Sequence, residues 1–205
     1  MRRGLLARAL VLVGVSVVLA ACVPAPPPSL PGGIPQLTVA DPQPAGYDRD
    51  HFGDWIDADG DCQNTRAEVL IAESQVPVTF TSASGCTVAS GHWTDPWSGT
   101  VNTAASALDV DHTVPLANAW RSGAWAWSPQ QRIDFANDLS HPEHLIGIPL
   151  GENRSKGDDG PEGWKPPDPG SWCAYAQAWT AIKARWGLTA SADEWAAVLD
   201  MASTC

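Results

Sequence analysis

The chain has 205 residues, with 12 Lys and Arg against 23 Asp and Glu, for a net charge of −11 at pH 7. That length suits one domain better than two. That charge excludes a long-range field as the means of holding nucleic acid, so such a function would need a local basic cluster or a bound cation.

The first residues, MRRGLLARALVLVGVSVVLAAC, place arginines ahead of an apolar run and then small residues, which is the arrangement of a secretory leader over 1–21. The run is too broken by small residues to favour a permanent membrane span. Leu19-Ala20-Ala21-Cys22 resembles a bacterial lipobox, which implies cleavage before Cys22, acylation of its thiol and an extracytoplasmic protein held to the membrane by lipid. An ordinary secreted protein is the alternative. Losing Arg2, Arg3 and Arg8 with the leader takes the net charge to −14 over 184 residues.

Residues 22–46 then read as the lipidated cysteine and a proline-rich extended tether, and the domain is expected over 47–205. With Cys22 set aside, Cys62, Cys86, Cys173 and Cys205 form an even set, and an even set in an oxidising compartment reads as disulfides. Three pairings are open, and nearness in sequence favours Cys62–Cys86 and Cys173–Cys205. Zinc is the rival reading, but no CxxC or CxH spacing occurs.

Within the domain, Thr65-Arg66-Ala67-Glu68 reads as a capping box opening the helix TRAEVLIAES. Strands are expected at 76–81, 86–93, 106–111 and 144–149. Ser128-Pro129-Gln130-Gln131 joins an N-cap, a proline at the first helical position and a glutamine at the third, opening a helix to about Asn137. Trp172, Tyr175, Trp179, Ile182 and Trp186 recur at helical spacing, which predicts a helix over 172–186. Ser191 caps a last helix running to about Ala202. The mixture is α+β. Eleven tryptophans read as core and stapling residues rather than a platform for bases.

Two stretches carry chemistry. In LDVDHTVPLANAW, residues 108–120, two carboxylates and a histidine interrupt an apolar strand, and buried charges need a partner or a metal. In EHLIGIPLGENRSKGD, residues 143–158, a short apolar strand leads to Asn153, Arg154 and Lys156.

Together with HFGDWIDADGDCQNTRAEVL, FANDL, WKPP and the paired C-terminal cysteines, these motifs resemble the HNH (ββα-metal) endonucleases. The closest likeness is to the branch related to the C-terminal domain of GmrSD-type restriction enzymes and its secreted actinobacterial relatives. The resemblance implies a ββα-metal core at about 106–160, flanked by helices. It implies an endonuclease that hydrolyses phosphodiesters in nucleic acid, DNA before RNA; a monomer is assumed, with the oligomeric state left open. His112 would be the general base, a role suited to an imidazole titrating near working pH. Asp111 and Asn153 would offer oxygens to one divalent cation, Mg²⁺ first, with Mn²⁺ or Ca²⁺ as alternatives. His144 stands where the family pattern has an asparagine that orients the base. A histidine there can bond to the base or bind metal.

Asp109, on the same strand face as Asp111, reads as an orienter of the site or a partner for an arginine. Arg154 and Lys156, and with them Arg66, are candidate phosphate contacts, against a plain reading as surface cations. Asp57, Asp59, Asp61 and Glu68 fall at positions 1, 3, 5 and 12 of an EF-hand-like count, but Cys62 takes the place of the glycine at position 6. A disulfide-pinned turn is the commoner outcome of such a pattern. A surface binding module on a degenerate HNH-like scaffold is the alternative function.

Overall fold

The computed structural model describes residues 30–43 and 45–205. The leader, Cys22 and the first part of the tether lie outside them. The first helix, α1 (Thr65–Glu73), is capped one residue earlier than the sequence suggests: Asn64 Oδ1 accepts the Ala67 N–H at 3.1 Å. Thr65 belongs to the helix, and its hydroxyl lies 2.6 Å from Asn137 Oδ1. β1 (Thr79–Phe80), β2 (Val88–Thr94) and β3 (Val101–Ala104) form an antiparallel sheet in that order. The expected strand at 76–81 shrinks to two residues, since Pro77 has no N–H to give a ladder. β3 was not expected, because VNTA is short and polar and carries no alternation to read.

β4 (Leu108–His112) and β5 (Leu145–Pro149) form a second antiparallel pair, with Asp109 opposite Ile148 and Asp111 opposite Ile146. Residues 113–144 lie between them and hold α2 (Leu116–Arg121) and α3 (Pro129–Ala136). Ser128 Oγ accepts the Gln131 N–H, the cap that the sequence predicts. Both β4 and β5 give way to helices at prolines: Pro115 precedes α2, and Pro149 precedes α4 (Leu150–Lys156). α5 (Trp172–Trp186) spans the predicted range. It ends at Gly187, whose φ of +65° supplies the left-handed turn favoured at a helix C-terminus. α6 (Ala192–Ala202) closes the chain on a Ser191 cap.

Strand alternation divides the interior in two. Ile146 and Ile148 face a larger core built from α2, α3, α5 and α6 with Phe52 and Ile34, while Leu108, Val110 and Leu145 face a smaller one with Val69, Leu70 and Trp93. Gly147 makes the second core possible: a Cβ there would meet Glu73 Oε2 at 2.9 Å and Leu70 at 3.3 Å. Five tryptophans are buried and five more pack partly buried on the cores, leaving Trp125 exposed. The tryptophans therefore serve packing.

Cys62–Cys86 and Cys173–Cys205 are both bonded. The protein is thus a small α+β domain with two disulfides. The tether behaves differently from its reading as free extended chain. Ile34 and Leu37 are buried, Val39 pairs with Ala190, and the Trp120 indole donates to the Ala45 carbonyl. Proline content hid these contacts, because the segment packs through isolated apolar residues without periodicity. Among the described residues no helix is long and apolar enough to cross a membrane.

Candidate active site

At the end of β4 a cleft of about 340 Å³ is lined by Asp111, His112, Asn153 and Arg154, together with Arg49 and Trp55. Three elements build it. β4 carries the acid and the imidazole, α4 carries Asn153 and Arg154, and the segment before α1 carries Arg49 and Trp55.

His112 is fixed by contacts the sequence did not reveal. Its Nε2 lies 2.9 Å from the Ala136 carbonyl. A carbonyl only accepts, so Nε2 holds the proton and the neutral ring keeps a lone pair on Nδ1. The carbonyl is available because Ala136 ends α3, where the last carbonyls lack partners within the helix. Trp55 stacks on one face of the ring at 5.1 Å and 10°, and Phe135 lies parallel to it at 6.5 Å and 9°. Burial holds His112 well below the ordinary histidine range, with His144 adding to the effect, so the ring is neutral near pH 7.

His144 sits behind this arrangement and does not line the cleft. Its Nε2 lies 2.7 Å from the Phe135 carbonyl, and its Nδ1 is buried without a hydrogen-bond partner among the described residues, 3.9 Å from Asp138 Oδ2. The two imidazoles meet edge to face at 6.4 Å with no bond between them. The orienting expected of His144 is performed instead by the Ala136 carbonyl. FANDL therefore has a physical role: Phe135 and Ala136 give carbonyls to the two histidines, and the Asn137 side chain bonds Asp54, Ile56 and Thr65 of the segment leading into α1.

The acids meet α4 in register. Asp109 and Asp111 lie two apart on one strand face, and Asn153 and Lys156 lie three apart on one helix face. Asn153 Nδ2 donates to Asp109 Oδ2 at 3.0 Å, which leaves Asn153 Oδ1 as the free acceptor of that amide. Asp109 is thus the orienter of Asn153. Lys156 Nζ donates to both Asp111 oxygens at 3.0 and 2.8 Å and to the His112 carbonyl at 2.9 Å. Its side chain is wholly buried. Burial pushes the Asp111 carboxyl up, and the Lys156 ammonium opposes that. Lys156 is therefore no contact for substrate phosphate. Nearby, Glu152 is pushed up to about 7 by burial and by the carboxylate of Asp95.

Arg154 is exposed at the cleft. Arg49 was missed, since one arginine in YDRDHF carries no pattern. Neither has an ion-pair partner among the described residues. Arg66 lies elsewhere: it donates to the Ala105 and Leu108 carbonyls and ties α1 to the start of β4.

Asp57, Asp59 and Asp61 converge at the surface with ligand atoms within 4.8 Å of one another. Asp57 accepts the Gly60 and Cys62 N–H groups, and Asp61 accepts that of Gln63, so these carboxylates shape their own loop. Cys62 takes φ +76°, the left-handed turn that the sequence count assigns to glycine.

No family model matches the chain, and no solved structure matches it. An uncharacterized secreted protein of Arthroderma benhamiae is 43% identical over 197 residues, covering 92% of this chain and 94% of its own length. The small disulfide-bonded α+β domain described above therefore has a relative along nearly its whole length. The chain belongs to one family with that fungal secreted protein.

Proposed function

We propose that this protein is an HNH-type nuclease that hydrolyses phosphodiesters in nucleic acid, DNA first, with a divalent cation, Mg²⁺ before Mn²⁺. The observation that carries the reading is the cleft where His112, with Nδ1 free to accept a proton, meets Asp111, Asn153 and two unpaired arginines. The antiparallel pair β4 and β5 with α4 directly after β5 supplies the elements of a ββα core, with α2 and α3 inserted between the strands, which adds support.

The donor set fits a hard cation. Asp111 offers a carboxylate, and Asn153 an amide oxygen left free by its bond to Asp109. When bound, the cation supplies Lewis-acid stabilisation of charge on the scissile phosphate. The chain's own residues do the rest. His112 Nδ1 takes the proton of the attacking water as its oxygen bonds to phosphorus; the P–O bond to the leaving sugar breaks and that oxygen takes a proton from solvent, while the Ala136 carbonyl keeps the ring in the tautomer that can accept. The resulting imidazolium lies at the C-terminal end of α3 and against the Trp55 face, both favourable places for positive charge. Arg49 and Arg154 hold flanking phosphates, and Trp55 screens one face of the base from water.

Plasmid nicking with Mg²⁺ or Mn²⁺ tests the reading. Wild type should cut, and His112→Ala should lose at least about a hundredfold. No metal-dependent cutting, or equal cutting by the variant, overturns it. The buried Lys156 on Asp111 favours a second reading, a non-catalytic surface module; calorimetry showing no divalent cation bound, with or without DNA, would favour that one.

The placement that goes with the nuclease reading is extracytoplasmic and lipid-anchored. Two disulfides and a relative named as secreted support the first part. The lipid anchor rests on Cys22, outside the described residues.

A further inference from the structure

Lys156 sets how the cleft acquires its cation. The ammonium bonds both oxygens of Asp111 from a wholly buried position, and its third bond to the His112 carbonyl holds it there. The carboxylate offered to a divalent ion is thus already neutralised, and the other donor, Asn153, is an uncharged amide. The cation therefore meets little net negative charge from its two protein ligands. Nucleic acid meets the converse difficulty: two arginines, Arg49 and Arg154, on a chain of net charge −11. Each ligand supplies what the other lacks, because a phosphodiester brings the anionic oxygen that Lys156 has masked on Asp111.

We infer that the cleft binds divalent cation and nucleic-acid phosphate as an obligatory pair, with Lys156 suppressing capture of the cation until a phosphodiester is present. The inference rests on the nuclease reading and deepens it. Linkage requires the coupling to be reciprocal: phosphate raises the affinity for metal by the factor by which metal raises the affinity for phosphate.

The test uses the full domain carrying His112→Ala, which keeps both ligands of the cation and does not cut. Binding of a labelled ten-base-pair DNA is followed by fluorescence anisotropy at fixed ionic strength, with and without Mn²⁺, and Mn²⁺ binding is followed by electron paramagnetic resonance, with and without the DNA. Tightening of roughly tenfold or more in both directions is expected. Adding Asn153→Ala, which removes one of the two ligands of the cation, should abolish the coupling in both directions. A second variant, Lys156→Met, unmasks Asp111: its melting temperature should rise with Mn²⁺ while that of wild type hardly moves. Mn²⁺ binding to free protein as tight as in the complex overturns the inference. If wild type cuts DNA while that holds, the nuclease reading survives and only the coupling fails. If wild type does not cut and Mn²⁺ binds in neither state, both fall.

Discussion

His112 is held on three sides, by the Ala136 carbonyl at its edge and by Trp55 and Phe135 on its faces. Trp55 is the replaceable wall. On the nuclease reading, Trp55→Ala should lower kcat about tenfold with a smaller change in KM, since it loosens the proposed base more than the proposed phosphate contacts, and Trp55→Phe should recover most of the loss. Steady-state kinetics on an oligonucleotide checks both. Glu73 offers a prediction on stability. Its Oε2 accepts the Gly147 N–H at 2.8 Å, and burial pushes the carboxyl up to about 7. Folding thus favours the protonated form, and the stability this provides at low pH is lost as pH rises through about 7. Glu73→Gln keeps an acceptor that cannot ionise. Its melting temperature should exceed that of wild type by about 5 °C at pH 8, with the gap shrinking toward pH 5, as thermal denaturation at the two pH values would reveal.

At the scale of elements, the arrangement depends on α1, β5 and α4 closing on β4 from different sides. A Cβ at Gly147 would run into Glu73 and Leu70 of α1, so Gly147→Val should push α1 off β5 and lower stability by about 3 kcal/mol, read by urea denaturation. This scale also shows what the sequence could express. Caps at Ser128 and Ser191 and the aromatic period of α5 were legible, because local chemistry and helical spacing decide them. β3 and the exact cap of α1 were not, since their outcome depends on distant partners: β3 on pairing with β2, and Thr65 on Asn137. The site divides in the same way. The grouping of Asp111, His112 and Asn153 in one cleft is what the resemblance of their motifs to the HNH endonucleases implies. The bonds of Lys156 to Asp111 and of Ala136 to His112 could not, because each joins residues far apart in sequence whose pairing only the fold creates.

For the whole molecule, charge is the governing quantity. On the nuclease reading, a chain at −11 has few cations with which to neutralise phosphate, and the cleft presents Arg49 and Arg154. The slope of log affinity against log salt should therefore be shallow, about −2, when measured by anisotropy on the His112→Ala protein. A slope of −5 or steeper would mean a basic surface elsewhere governs binding. The two disulfides act at this scale as well, since each closes a loop of two to three dozen residues that the unfolded chain would otherwise explore freely.

The strap formed by residues 30–43 gives the molecule an order of assembly. Its partners are late ones: Thr38 and Ala40 bond to Ala190, Gly32 accepts from Gln177 and packs on Cys205. A ribosome delivers residue 34 long before residue 190, so the first apolar residues of the body emerge with nothing to close against. The larger core receives its final walls only when α5 and α6 have followed. A chain travelling N-terminus first through an export channel is therefore kept from finishing its fold until nearly all of it has passed.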